Sequence, residues 1–237
     1  MRAYVISLEK RPDRWSAFMK HMHSHQLNRI FELTLVHGVD GEKLNLDSLR
    51  HRVSPQNLAQ IDHLRGHLGC NLSHLECWHQ IANDKEIAVV FEDDARLLDG
   101  IDAKMVQVAL NGLPKDADLV WLNDYNFWAR ESVKVKVFRK LSHLLDNRLS
   151  RRSVSFTQMP DVLTTAEAYI ITQNFAQKLY DGISNTLGAN DRQMQLFIHK
   201  LPQSNYKIYQ SNPALFTQAD RTDSATLIKT KTLKLIE

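Results

Sequence analysis

Glu86-Ile87-Ala88-Val89-Val90-Phe91-Glu92-Asp93-Asp94 is the stretch on which the fold reading turns. Ile87 to Phe91 is continuously apolar, the pattern of a strand covered on both faces, as in the parallel sheets of α/β domains. It breaks off into three carboxylates, so the chain leaves the core there. Toward the N-terminus, Leu68 to Ala82 reads as a helix. Ile30 to Val36 reads as a strand running into the glycine-rich turn His37-Gly38-Val39-Asp40-Gly41. Residues 42 to 66 are polar and mixed, and read as loop with short helices. Pro12-Asp13-Arg14 opens a helix with Trp15, Phe18, Met19 and Met22 at helical spacing, and Tyr4 to Leu8 is a first buried strand. Toward the C-terminus, Ile101 to Leu110 has helical spacing and Asp118 to Leu122 is a strand. Strand character returns at Val154 to Phe156 and at Ala168 to Ile171. Asn174 reads as the cap of a helix holding Phe175, Ala176, Leu179 and Tyr180, and Asp191 as the start of another with Met194, Phe197 and Ile198 inward. After Lys200 the chain is polar and turn-rich. Strands alternating with helices predict an α/β domain with a mainly parallel central sheet and flanking helices.

A chain of 237 residues with 43% hydrophobic content fits one domain spanning 1–237, with 200–237 as a C-terminal extension. Its 30 basic and 27 acidic residues leave a net charge of +3, too slight an excess to indicate nucleic-acid binding. Cys70 and Cys77 make no disulfide framework. The opening apolar run is too short for a signal peptide, and no run reaches the roughly 20 apolar residues of a membrane span. The expectation is a cytoplasmic protein able to touch a membrane surface. Residues 134–152 suit such contact: Lys134, Lys136, Arg139, Lys140, Arg148, Arg151 and Arg152 face only Asp146. The competing reading is a solvated insertion anchored by its leucines.

Three carboxylates at the end of a buried strand repel one another beside an apolar core. Ligands in parallel α/β sheets bind beyond the carboxyl ends of the strands, and hard divalent ions take carboxylate and phosphate oxygens together. If the strand continued, Glu92 and Asp94 would share one side. The bland alternative is a solvated strand end. Cys70, His74 and Cys77 share one helix face, but adjacent turns of one helix rarely supply tetrahedral geometry, so the cysteines read as packing residues.

Tyr4-Val5-Ile6-Ser7-Leu8-Glu9-Lys10-Arg11-Pro12-Asp13-Arg14 resembles the opening strand and basic loop of glycosyltransferase family 25. Val39-Asp40-Gly41, Gly69-Cys70-Asn71-Leu72-Ser73-His74, Val90-Phe91-Glu92-Asp93-Asp94-Ala95 and Ala168-Tyr169-Ile170-Ile171 follow in the family's order. Asn190-Asp191 stands where the family usually has a proline or valine before an aspartate, and Asn123-Asp124-Tyr125 where bacterial members more often show glycines.

The resemblance implies a Rossmann-like fold of the GT-A type and a UDP-sugar donor, with galactose ahead of glucose. It implies Mn²⁺ or Mg²⁺, inversion at the anomeric carbon, and a lipooligosaccharide or lipopolysaccharide core acceptor. That places the enzyme in the cytoplasm, peripheral on the cytoplasmic face of the inner membrane. Asp94 is expected as the main metal ligand, with Glu92 or Asp93 assisting. Asp191 is the expected base, with Asp124 and Glu167 as runners-up. Ser7, Leu8, Arg11, Arg14, Asp40, Ser73, His74, Glu92 and Asp93 are expected around the nucleotide sugar. Arg11 suits that role better than Arg14, which has Asp13 or Glu9 as a surface partner. The rival readings are a metal-dependent nucleotide-sugar hydrolase and a non-catalytic glycan-binding protein.

Overall fold

The computed structural model describes residues 1–53, 55–123, 154–159, 166–202 and 205–219. Asp124, the basic segment 134–152 and the end of the C-terminal extension lie outside the described residues. The strands are β1 (Arg2–Leu8), β2 (Glu32–Gly38), β3 (Ala88–Glu92), β4 (Ala95–Leu97), β5 (Leu119–Trp121), β6 (Ser155–Met159), β7 (Ala168–Ile171), β8 (Ile208–Asn212) and β9 (Phe216–Gln218). The helices are α1 (Pro12–Ser24), α2 (Leu46–Leu49), α3 (Pro55–Leu58), α4 (Arg65–Asp84), α5 (Ala103–Asn111), α6 (Gln173–Ile183) and α7 (Asn190–Ile198).

A 7-stranded sheet has the order β2-β1-β3-β7-β5-β8-β6. β1 pairs parallel with β2 and with β3, β5 pairs parallel with β8, and β7 runs antiparallel between β3 and β5. β6 closes the far edge antiparallel to β8. The sheet is therefore mainly parallel, as the sequence predicts, with β7 and β6 reversed. β4 and β9 make a separate ribbon.

Alternation along the strands sorts side chains onto two faces. Tyr4, Val90, Trp121, Tyr169 and Ile171 face a core shared with Trp78 of α4, Phe175 of α6 and Met194 of α7. Val5, Val89, Phe91 and Ile170 face the other, with Phe18 and Met22 of α1 and Val106 of α5. Val89 to Phe91 is fully buried, which is why that run carries no polar residue. Each such side chain taken out of water contributes about 1.5–3 kcal/mol.

Three local expectations change. α6 is capped by Thr172, whose hydroxyl accepts from the Phe175 N–H at 3.4 Å, and Asn174 lies inside the helix. α7 begins one residue before Asp191, after Ala189, which offers no side-chain cap. The polar stretch after Lys200 contains β8 and β9, both invisible to an apolar-run criterion. Among the described residues no helix is long and apolar enough to cross a membrane.

Candidate active site

The chain runs from β1 through α1 to β2, then back across β1 through α4 to β3, so the strand order reverses beside β1. A crevice at the carboxyl ends of the strands follows from that reversal. A cleft of about 220 Å³ opens there. Its walls are Ile6, Ser7 and Leu8 from β1, Val39 to Glu42 after β2, His67, Cys70, Ser73 and His74 from α4, and Glu92 and Asp93.

Two glycines let the walls close. A Cβ on Gly69 would stand 2.5 Å from the Val39 carbonyl oxygen and 2.8 Å from the Gly41 nitrogen, and one on Gly41 would meet the Arg65 carbonyl oxygen at 2.1 Å. These are backbone contacts that cannot yield. The Ser73 hydroxyl joins the same seam, accepting from the Val39 N–H at 2.8 Å and donating to the Gly69 carbonyl at 2.7 Å. Asp40 caps the short turn at Gly41–Lys43 and pairs with Lys10 at 2.8 Å, which holds its carboxyl below the usual range.

The acidic triplet does not continue the strand: Asp93 and Asp94 form a turn between β3 and β4. The three side chains then part. Asp93 accepts from the Ser7 hydroxyl at 2.7 Å and meets Arg14 at 2.6 Å. Asp94 meets the same guanidinium at 2.8 Å and accepts from the Gln218 amide at 3.0 Å. Its other oxygen, Oδ1, is buried without a partner among the described residues. A buried carboxylate oxygen left unmatched is costly. Burial pushes the Asp93 carboxyl up, against the opposing pull of Arg14 and the Ser7 hydrogen bond.

Glu92 turns toward α4. Its Oε1 lies 3.2 Å from His74 Nε2 and 4.0 Å from Cys70 Sγ. Burial, reinforced by the charge of Asp94, pushes its carboxyl up to about 8, while burial pulls His74 down to about 3. Burial disfavours the charged form of both, so their contact has the character of a hydrogen bond more than of an ion pair. Behind His74, Tyr169 Oη lies 2.8 Å from Nδ1 and accepts from Trp78 Nε1–H at 2.9 Å. Tyr169 is fully buried, so its own proton needs an acceptor, and Nδ1 is that acceptor. Nε2 then carries the imidazole proton and donates to Glu92.

Glu167, buried beside β3, accepts from the Asn123 amide at 2.8 Å, and its carbonyl accepts from the Glu92 N–H at 2.9 Å. Burial, then the charge of Glu92, pushes its carboxyl up to about 8. Asp191 sits in the first turn of α7, where Oδ1 accepts from the Arg192 N–H at 2.8 Å. Burial raises its carboxyl, opposed by that hydrogen bond and by His67. Its charge reaches Cys70 and Glu92.

Ser7, Leu8, Arg14, Asp40, Ser73, His74, Glu92 and Asp93 all line the cleft. Arg11 instead pairs with Asp13 at 2.8 Å, though its charge still reaches Asp93. The first loop therefore sends Arg14, one helical turn further on, against the acidic turn. Lys10, His67, Asn123 and Tyr169 were not singled out from sequence. Lys10 lay in the basic loop already noted; His67 lay just past the stretch read as loop.

The chain is thus an α/β domain with an acidic turn at the switch point of its sheet. The structure aligns with a glycosyltransferase involved in the glycosylation of the major capsid of PBCV-1 at a TM-score of 0.50 and 7% identity, covering 99% of this chain and 98% of that one. The family model for glycosyltransferase family 25, described as an LPS biosynthesis protein, matches residues 1–194, and the chain belongs to that family. Human procollagen galactosyltransferase 2 is 25% identical over 224 residues, 87% of this chain and 32% of its own length. The mouse inactive glycosyltransferase 25 family member 3 is 28% identical over 142 residues, 56% of this chain and 23% of its own length. The chain thus spans a third or less of either relative.

Proposed function

We propose that this chain transfers a hexose, galactose first, from a UDP-sugar to a saccharide of a lipooligosaccharide or lipopolysaccharide core, with inversion. The observation that carries the proposal is the switch-point cleft lined by Glu92 and Asp93, beside a turn in which a buried Asp94 oxygen has no partner among the described residues. Galactose comes from the name of the human relative, and the acceptor class from the family description.

The all-oxygen character of the acidic turn fits Mn²⁺ or Mg²⁺, held by Asp94 with Glu92 or Asp93 assisting. When bound, the ion neutralises charge growing on the leaving diphosphate. Arg14 is the cation that now makes the paired carboxylates tolerable, and it turns to the diphosphate when the donor enters. Lys10 and Asp40 frame the opposite wall. Asp191 takes the proton of the acceptor hydroxyl; its raised pKa makes it a stronger base than an ordinary aspartate. Inversion needs attack from the face away from the leaving group, so the base stands apart from the acidic turn, by analogy with inverting glycosidases. Glu167 holds a proton near pH 7 and suits the role less well, while Asp124 stays a second alternative. The basic segment 134–152 faces anionic glycolipid, with the enzyme peripheral on the cytoplasmic face of the inner membrane.

The test offers UDP-galactose, UDP-glucose and UDP-N-acetylglucosamine with a set of truncated lipooligosaccharides, with and without Mn²⁺. Transfer from UDP-galactose that requires Mn²⁺ is expected. Free sugar with no transfer indicates the hydrolase. Binding without product indicates a non-catalytic protein, a reading the inactive mouse relative keeps in view.

A further inference from the structure

We propose that Cys70, His74 and Glu92 form a second site, sharing Glu92 with the acidic turn, for a thiophilic divalent cation of the Zn²⁺, Co²⁺ and Cd²⁺ class. One ligand atom from each lies within 4.8 Å of the other two. Around tetrahedral zinc, ligand atoms stand roughly 3.3–3.6 Å apart, given the usual bond lengths. Nε2 of His74 and Oε1 of Glu92 are already 3.2 Å apart, and Cys70 Sγ is 4.0 Å from the same oxygen. The sulfur must close on the Glu92 oxygen by about half an ångström, and on His74 from within 4.8 Å, to complete three corners of a tetrahedron.

The weakness of a one-helix site, that adjacent turns point their side chains nearly parallel, does not apply here. Cys70 and His74 come from successive turns of α4, and Glu92 enters from the end of β3. Cys77, the other cysteine of the helix face, is fully buried and takes no part. All three ligands line the cleft, so the fourth corner faces its interior and is open to water. An outer shell is in place: Tyr169 Oη sits on the far nitrogen of His74, fixed in turn by Trp78. A metal-bound imidazole needs such a partner on its second nitrogen.

On binding, the Cys70 thiol and the Glu92 carboxyl each release their proton to solvent, and the sulfur and the carboxylate oxygen each donate a lone pair to the metal. The His74 proton moves from Nε2 to Nδ1 and the hydrogen bond to Tyr169 reverses, so that Oη accepts from Nδ1 and the tyrosine O–H rotates away from His74. Sulfur and imidazole select this class of ion, whereas Mn²⁺ and Mg²⁺ prefer the all-oxygen turn at Asp94. The site stands whether or not the chain transfers sugar. Its consequence, that Zn²⁺ inhibits transfer by withdrawing Glu92, rests on the reading above.

The test is a Co²⁺ titration of the full chain, read by the thiolate-to-cobalt charge-transfer band in the near ultraviolet and the visible bands of tetrahedral Co²⁺. The wild type and Cys77→Ala are expected to show both, with a stoichiometry of one. Cys70→Ser is expected to lose the charge-transfer band, and its Zn²⁺ affinity to fall by more than the roughly 10–100-fold that loss of an outer-shell partner costs. Circular dichroism reports whether Cys70→Ser folds; if it does not, Glu92→Gln carries the comparison and must weaken Zn²⁺ binding. No charge-transfer band in the wild type, a band that survives Cys70→Ser, or one that vanishes in Cys77→Ala overturns the site. Transfer assays form a separate arm. Spectra as expected with no transfer under any condition leave the metal site standing and sink only the transferase reading.

Discussion

Asp191 combines two opposed influences. The first turn of a helix favours a negative charge, and the Arg192 N–H supports it, but burial outweighs both and raises the carboxyl. A base must be ionised to accept a proton, so turnover falls as pH drops through this raised pKa. The acid limb of kcat is expected above the ordinary aspartate range. Asp191→Asn should cut turnover by roughly 100-fold or more while UDP binding by calorimetry stays near normal. Near-normal turnover passes the role to Asp124 or Glu167. Glu167 supports a stability prediction instead. Its folded pKa of about 8 exceeds the ordinary 4.5, so between those values the folded chain holds a proton the unfolded chain has lost. That contribution is full below the lower value and is lost as pH rises through the upper one. Glu167→Gln removes the penalty. It should raise the unfolding free energy by on the order of a few kcal/mol at about pH 9 and change little at about pH 4. An equal effect at both pH values contradicts the burial account. Sequence placed the first-loop arginines near the nucleotide sugar and favoured Arg11, but did not show the pairing of Arg14 with the acidic turn. Pro12 starts α1, and the helical turn that follows rotates Arg14 inward while Arg11 stays with Asp13.

Among the elements, α4 organises the cleft. Its first turns carry Gly69, Cys70, Ser73 and His74 and bring the loop after β2 into backbone contact. Gly69→Ala places a methyl against the Val39 carbonyl, an overpacking that costs about 1–3 kcal/mol. It should lower the unfolding free energy measured in urea by that amount and weaken UDP binding together with it, because the 39–42 wall must retreat. Unchanged stability with weakened binding would instead mean that Gly69 touches the ligand directly. The glycine was legible in the sequence; what it approaches was not, because the partner carbonyl is 30 residues away along the chain. β3 was legible for a plain reason, since burial on both faces suits the apolar run Ala88 to Phe91, although Ile87, read as part of the same run, stands exposed before the strand. The reversal of β7 was not, because an apolar run has no direction. β8 stayed hidden since Tyr209, Gln210 and Asn212 retain solvent contact. Thr172 rather than Asn174 caps α6, two eligible residues that only the backbone path distinguishes.

For the molecule as a whole, the family and the mainly parallel sheet were readable from the order of the motifs, since each falls at a strand end or on α4. The basic segment 134–152 is read by charge alone. Replacing Arg148, Arg151 and Arg152 with Ser should weaken binding to anionic liposomes, by about 1 kcal/mol per charge at low salt and less at high salt. Hydrolysis of the UDP-sugar by water should not change. Liposome binding that ignores the substitutions leaves the segment a solvated insertion. The central claim is that the acidic turn holds the ion that makes transfer possible. The most direct measurement is Mn²⁺-dependent transfer from UDP-galactose to truncated lipooligosaccharide by Asp94→Ala, beside the wild type and with Mn²⁺ affinity followed in parallel. The account predicts a folded variant with its Mn²⁺ binding lost and its transfer nearly abolished at every Mn²⁺ concentration. Wild-type transfer by folded Asp94→Ala in chelator would contradict it.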